Sequence, residues 1–317
     1  MKQIIAICLV LTAGIVFAIG MGRPRPEETQ AFFSEAEALY SSLPPEEKPE
    51  PTRAERVVRA IHAAHPHRIE KVEFRNDDWA LLLDNIWFYY ANGRMLPAEF
   101  LYRLPRYRHI AMYYYPHELP ILAERSPEQI SGITNFANTR AILPRPNYFF
   151  DTLYRVHNRE EAYIRQTSVR FLGHSLQVHY EITPALARVQ QRILETAETD
   201  ASVRAWKDNI DRMYGWVWRN IGGTQSRSFH AYGIAIDIMP RVTGGRAVYW
   251  RWAGPDWMTI PHERRYHPPD VVIQAFESFG FIWGGKWPVF DTIHFEYRPE
   301  LLLYNNFVLE PRHTTQR

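Results

Sequence analysis

Apolar positions along the chain first form an unbroken run, then thin out, then return with recognisable periods. Residues Ile4 to Met21 are almost continuously apolar behind Met1-Lys2-Gln3, the pattern of a basic n-region and an apolar h-region. Ala18-Ile19-Gly20 supplies small residues at the spacing a signal peptidase reads. At a rise of about 1.5 Å per residue the same run just crosses a bilayer, so residues 1–21 read as either a cleaved signal peptide or a membrane anchor. Cys8 lies inside the run rather than at a cleavage point, which argues against lipidation there. Residues 22–52 hold Pro24, Pro26, Pro44, Pro45, Pro49 and Pro51 among many glutamates and read as an extended tether, with room for a short helix between Glu28 and Leu43.

Periodic order begins at Arg53. Val57, Val58 and Ile61 fall at helical spacing, which predicts a helix over Arg53 to Ala64. Trp79-Ala-Leu-Leu-Leu, Asp84-Asn85 and Ile86-Trp-Phe-Tyr-Tyr read as two strands around an Asp-Asn turn. Tyr107 to Tyr115 is rich in aromatics, and Pro105, Pro116, Pro120, Pro144 and Pro146 break the surroundings into short pieces. Residues 53–160 are therefore expected to form an aromatic-rich intermediate region, one that restricts access to a site or binds glycan or a partner.

Punctuation is clearer from about Arg165. Val169-Arg-Phe-Leu-Gly-His reads as a strand and turn, and Thr183-Pro184 as an N-cap followed by proline at the first helical position. Leu186, Val189 and Ile193 continue that helix. Val272, Ala275, Phe276 and Phe279 give a second helix, beginning at Asp270, one apolar face, with Gly280 as its stop. Ile234, Ile236 and Ile238 alternate as a strand does, and so do Ile293 and Phe295. Helices and strands follow one another without a βαβ rhythm, so the expected class is α+β over 161–305, with 306–317 a C-terminal tail.

Composition narrows the chemistry. Of 317 residues, 46% are hydrophobic, enough for a sizeable core, and 37 Lys and Arg against 35 Asp and Glu leave a net charge of +2. So small an excess gives no electrostatic reason to expect nucleic acid. One cysteine excludes an internal disulfide and a thiolate zinc site. Any metal must sit on His, Asp and Glu, and 13 histidines are available.

Two segments concentrate those residue types. In Ser228-Phe-His230-Ala-Tyr-Gly233-Ile-Ala235-Ile-Asp237, the isoleucines take one face of the strand, while Ala235 and Asp237 take the other. Gly233 permits a sharp turn that returns His230 over the strand. A charged Asp in so apolar a strand is costly unless paired or metal-bound. In Phe281-Ile-Trp283-Gly284-Gly285-Lys286-Trp287 a strand enters a Gly-Gly turn, and Asp291-Thr-Ile-His294-Phe-Glu296 follows. His230, Asp237 and His294 would make a three-ligand zinc site with an open fourth position, the catalytic pattern, in which a bound water's pKa falls toward about 7. Asp291 would then exchange the proton of that water with the leaving amine.

Ser-x-His-x-x-Gly-x-Ala-x-Asp at 228–237 and Gly-Phe-Ile-Trp-Gly-Gly-Lys-Trp…Asp-x-x-His-Phe-Glu at 280–296 resemble the D-alanyl-D-alanine carboxypeptidase family of zinc peptidases, which shares its fold with the hedgehog amino-terminal domain. Trp218-Arg219-Asn-Ile-Gly-Gly-Thr224 resembles the family's arginine-containing segment more loosely. The resemblance implies Zn2+ on His230, Asp237 and His294, with Asp291 as general acid/base. The family position is Glu in some members, so the shorter Asp bears on reach. It further implies that Arg219 polarises the scissile carbonyl and that Ser228 lines the substrate site. Trp283 and Trp287 are either cleft walls or core. Glu296 either supports His294 or pairs with Arg298.

Two other His groups compete with these motifs. His262-Glu263-Arg-Arg-Tyr-His267 misses helical zinc spacing by one residue, which separates the two rings on a helix. His62, His65 and His67 read as a solvated helix end. The aromatic runs Trp87–Tyr90 and Tyr113–Tyr115 read as sheet core before glycan platform. The expected function is an exported zinc peptidase, in the periplasm or cell envelope and free or membrane-tethered. It would cut peptidoglycan stem peptides, either as a D-alanine carboxypeptidase or as an endopeptidase at an L-Ala to D-Glu bond. A carboxypeptidase needs a cation for the terminal carboxylate, and Arg227, Arg241 and Arg298 are the candidates. A non-catalytic cell-wall binding protein on the same fold is the different-class alternative.

Overall fold

A computed structural model of the chain describes residues 51–110, 112–119, 126–139 and 143–311. The apolar leader, Cys8 and nearly all of the tether fall outside the described residues, as does the end of the tail from residue 312. Among the described residues no helix is long and apolar enough to cross a membrane.

The chain opens with helix α1 (Arg53–Ala64), whose Val57, Val58 and Ile61 are buried as the periodicity requires. A four-stranded sheet follows: β1 (Ile69–Arg75), β2 (Asp78–Leu83), β3 (Ile86–Tyr89) and β4 (Leu96–Pro97), in that spatial order. The β2–β3 hairpin is the one expected: Leu83 pairs with Ile86, and Asp84 and Asn85 both take positive φ, at 47° and 62°. Helices α2 (Pro127–Thr139), α3 (Tyr148–Tyr154) and α4 (Arg159–Ile164) lead to hairpin β5 (Gln166–Phe171) and β6 (His174–His179). Helices α5 (Thr183–Thr199) and α6 (Ala201–Asp208) precede the second four-stranded sheet. Its strands are β7 (Ile210–Tyr214), β8 (Ala235–Pro240), β9 (Phe281–Trp283) and β10 (His294–Tyr297), in the order β7-β8-β10-β9. The one-turn helix α7 (Phe229–Tyr232) sits before β8. Helices α8 (Asp270–Ser278) and α9 (Pro299–Tyr304) flank β9 and β10 in sequence. Small antiparallel sheets with helices between them make the α+β class plain.

One hydrophobic core joins Val57, Val58 and Ile61 of α1 to Phe281, Phe295, Leu301 and Leu302, so it crosses the boundary expected near residue 160. α1 packs along α9. Much of the aromatic load of residues 53–160 is spent here, with Phe88, Tyr89 and Tyr115 buried, while Tyr114 is 80% exposed.

Three expectations need correcting. Thr183 does not cap α5. Its hydroxyl donates to the Tyr180 carbonyl, and the helix starts at Thr183 itself, continuing a 3-10 turn over Tyr180–Ile182 that the His179 side chain caps. Ile234 precedes β8 rather than lying in it. His65 is not at a solvated helix end. It is 1% exposed and bonded to Glu300, while only its neighbours His62 and His67 face solvent.

Candidate metal centre

The centre is built on the β8–β10 pair. The two strands run antiparallel with His294 opposite Asp237 and Glu296 opposite Ala235. Directly opposed residues share a face, so both pairs point the same way. Ala235, fully buried, sets a small side chain directly opposite the long one of Glu296. The flanking Ile236 and Ile238 face the core.

His230 reaches the same face from α7. Ser228 caps that helix, its Oγ accepting the His230 backbone N–H at 3.3 Å. Gly233 ends the helix at φ 76°. A Cβ there would stand 2.0 Å from the Gln166 side-chain oxygen and 2.7 Å from the His179 nitrogen, so only glycine fits. The sequence predicts a sharp turn for this close return. It is a capped helical turn that places the ring above β8.

The three candidate ligands converge. His230 Nε2 lies 3.2 Å from Asp237 Oδ1 and 3.3 Å from His294 Nδ1, and His294 Nδ1 lies 2.9 Å from Asp237 Oδ1. Ligands held about 2.0–2.1 Å from a tetrahedral zinc stand roughly 3.3 Å apart, so the spacing suits a small divalent ion. Tautomers fit as well. His230 donates from Nδ1 to the Gly215 carbonyl at 2.7 Å, and His294 donates from Nε2 to Glu296 at 3.2 Å. Each ring therefore turns a lone pair toward the cluster. Among the described residues this is the group of three able to hold a metal. His262 and His267 are not brought together, since only a short 3-10 turn, His262–Arg264, forms there.

Electrostatics follow from burial and mutual contact. Burial works to raise the Asp237 carboxyl, yet His230 and His294 hold it well below the ordinary carboxylate range. Burial works to lower His294, and its bonds to Asp237 and Glu296 raise it instead to about 10.

Asp291 stands at the mouth of β10. Its N–H donates to the Gly284 carbonyl at 3.0 Å, and its chain segment runs beside Val248–Trp250, with the Thr292 N–H on the Val248 carbonyl at 2.8 Å. A Cβ on Gly284 would come within 2.5 Å of the Asp291 carbonyl, which is why the turn before it needs glycine. Its Oδ1 is buried without a hydrogen-bond partner. Burial pushes the carboxyl up to about 7, with His294 and Arg219 opposing and Asp237 adding to the rise. Arg219 is exposed, donates only a 3.4 Å bond to the Asn220 carbonyl, and is close enough for its charge to act on Asp291.

The remaining expected site residues are placed as follows. Ser228 is buried with its hydroxyl spent on the α7 cap. Trp283 is buried and donates to the Thr292 carbonyl at 2.8 Å. Trp287 is half-buried, its ring centroid 5.3 Å from that of His294. Glu296 serves both roles left open for it, accepting from His294 on Oε2 and from Arg298 Nη1 at 3.1 Å on Oε1. Of the three candidate carboxylate anchors, Arg227 is spent on Asp151 and the Val156 carbonyl, Arg298 is fully buried between Glu296 and Glu300, and Arg241 is exposed. Sequence reasoning had no access to the Gly215 carbonyl that fixes His230, because any residue type supplies a carbonyl.

A model of the D-alanyl-D-alanine carboxypeptidase family matches residues 222–297. The match spans His230, Asp237, Asp291 and His294 and supports a peptidase of this family. A second model, for a domain of unknown function, matches residues 57–112. No solved structure matches the chain.

Proposed function

We propose that this chain, with its D-alanyl-D-alanine carboxypeptidase domain at residues 222–297, is a zinc-dependent peptidase that trims peptidoglycan stem peptides by removing a terminal D-alanine. One observation carries the reading. Two imidazole nitrogens and a carboxylate oxygen converge, within reach of the charge of Asp291, whose buried carboxyl oxygen has no partner. The β7-β8-β10-β9 sheet with α8 supports a catalytic domain of the hedgehog/DD-peptidase kind.

His230, Asp237 and His294 would hold the zinc, which when bound supplies Lewis-acid chemistry and lowers the pKa of a water to about 7. Asp291 acts as the proton carrier. At about 7 its carboxyl gives up and takes back a proton near neutrality, so it accepts one from the attacking water and delivers it to the leaving amine. Arg219, exposed and without an ion pair among the described residues, donates to the scissile carbonyl oxygen as charge builds there. Trp287 covers one side of His294 and limits water around it.

A second reading, an endopeptidase cutting between L-Ala and D-Glu, is favoured by the fate of the arginines. With Arg227 and Arg298 held by internal carboxylates, a free terminal carboxylate has only Arg241 of the three. The apolar run at residues 4–21 supports export to the periplasm or cell envelope, whether free or tethered.

Purified muropeptides incubated with the zinc-loaded protein and analysed by mass spectrometry test the proposal. Loss of a single alanine is the expected product, and Asp291→Asn should cut the rate by about 10²–10⁴-fold with zinc still bound. An internal stem cut would establish the endopeptidase. No product from the wild type, or full activity in Asp291→Asn, would overturn the catalytic reading and favour a binding protein.

A further inference from the structure

The metal cluster does not end at His294. A chain of buried ionisable side chains runs from it toward α1. His294 donates to Glu296 Oε2 at 3.2 Å, Arg298 donates from Nη1 to Glu296 Oε1 at 3.1 Å and from Nε to Glu300 Oε1, and His65 meets Glu300 Oε2 through Nε2 at 3.3 Å. Glu296, Arg298, Glu300 and His65 are between 0% and 4% exposed. We propose that His65 is a positioning residue for the metal ligand His294, acting through Glu300, Arg298 and Glu296. The proposal rests on the metallopeptidase reading above.

The pairing pattern carries the inference. Each oxygen of each carboxylate has its own partner, and Arg298 spends one nitrogen on each carboxylate. Glu296 thus presents Oε2 to His294 while its other oxygen is held by the shared Arg298. Removing the His65 donor leaves Glu300 Oε2 buried and unpaired, a costly state. The relief open to Glu300 is to take Arg298 through both oxygens, because a guanidinium fork suits a carboxylate bidentately. Because Nε already sits on Glu300, that turns the guanidinium plane toward Glu300 and changes the direction from which Nη1 meets Glu296 Oε1, and with it the angle Glu296 presents to His294. Groups that orient a metal ligand from behind typically change metal affinity by about 10–100-fold. The relay also gives the amino-terminal segment a task. His65 lies within the match at residues 57–112, His294 and Glu296 lie within the match at 222–297, and the packing of α1 on α9 brings His65 to Glu300.

The test uses the full chain and three variants. His65→Leu removes the donor. His65→Gln restores an N–H at the position of Nε2. Arg68→Met breaks a neighbouring ion pair, between buried Arg68 and exposed Asp84, that lies outside the relay. Zinc affinity is measured by chelator competition, the ligand field by the visible spectrum of the cobalt-substituted protein, and folding by thermal melting. His65→Leu should weaken zinc by about 10–100-fold and shift the cobalt bands, and His65→Gln should recover most of both. Arg68→Met should lower the melting temperature and leave both unchanged. If His65→Leu does not fold, Glu300→Gln, which keeps the shape, should shift the cobalt bands in its place. Wild-type affinity and spectrum in the folded relay variants would overturn the proposal, as would equal weakening in Arg68→Met. A wild type that binds no zinc would overturn the metallopeptidase reading and this proposal with it.

Discussion

Two buried polar clusters flank β9 and β10, and they differ in one respect. Tyr115, Glu277 and Lys286 form the first. Tyr115 donates to Glu277 at 2.5 Å and accepts from the Trp283 N–H at 2.8 Å, while Lys286 reaches Glu277 and the His117 carbonyl, each at 2.6 Å. Acid, base and hydroxyl are matched. His230, Asp237, His294 and Asp291 form the second. There, two imidazole rings converge on one oxygen of a single carboxylate, and an Asp291 oxygen is buried with no partner. A satisfied cluster fixes structure, here by tying residues 113–117 to the Gly-Gly-Lys-Trp turn. An unsatisfied one is kept only where something else completes it. The contrast, taken with the convergence of three ligand atoms, separates site from scaffold.

The comparison breaks if the satisfied cluster turns out to serve the metal. Lys286→Met leaves Glu277 buried without its cation and should cost about 3–5 kcal/mol of stability, read by denaturant melting. Zinc stoichiometry in the same variant should stay at the wild-type value. Loss of zinc from a still-folded Lys286→Met would merge the two clusters into one.

A smaller effect sharpens the comparison through pH. His179 is a third buried polar group, bonded to the Tyr154 carbonyl, and burial pushes its ring down to about 4. The unfolded ring protonates near the ordinary 6.5, so between about 6.5 and 4 the unfolded state binds more protons. Stability contributed by the neutral ring is full above 6.5 and falls as pH drops toward 4, by on the order of 3 kcal/mol. His179→Gln should flatten that part of the stability profile. An unchanged slope would show that other groups set it.

Much of the fold was legible because local rules governed it. The Val57, Val58, Ile61 spacing set α1 correctly, and Asp84-Asn85 set the hairpin. β1 was missed because Glu70, Lys71 and Glu73 break any alternation, as suits a strand at the sheet edge. β4 is two residues long and carries no period. The converging cluster of His230, Asp237 and His294 was legible because its motifs are local to β8 and β10. His65 was not, because its partner Glu300 lies 235 residues away and nothing near His65 announces it. Charge pairs made by tertiary packing leave no trace in a sequence window, and for the same reason the arginines suited to a terminal carboxylate could not be told apart before their partners were seen.

An equilibrium zinc titration of the full chain, run beside His294→Ala, tests most directly whether the unsatisfied cluster is a metal centre. The expected result is one tightly held zinc per chain in the wild type, with melting temperature rising as zinc is added, and loss of both in His294→Ala. A wild type that binds no zinc, or a His294→Ala chain that binds it as tightly, would contradict the assignment of His230, Asp237 and His294 as its ligands.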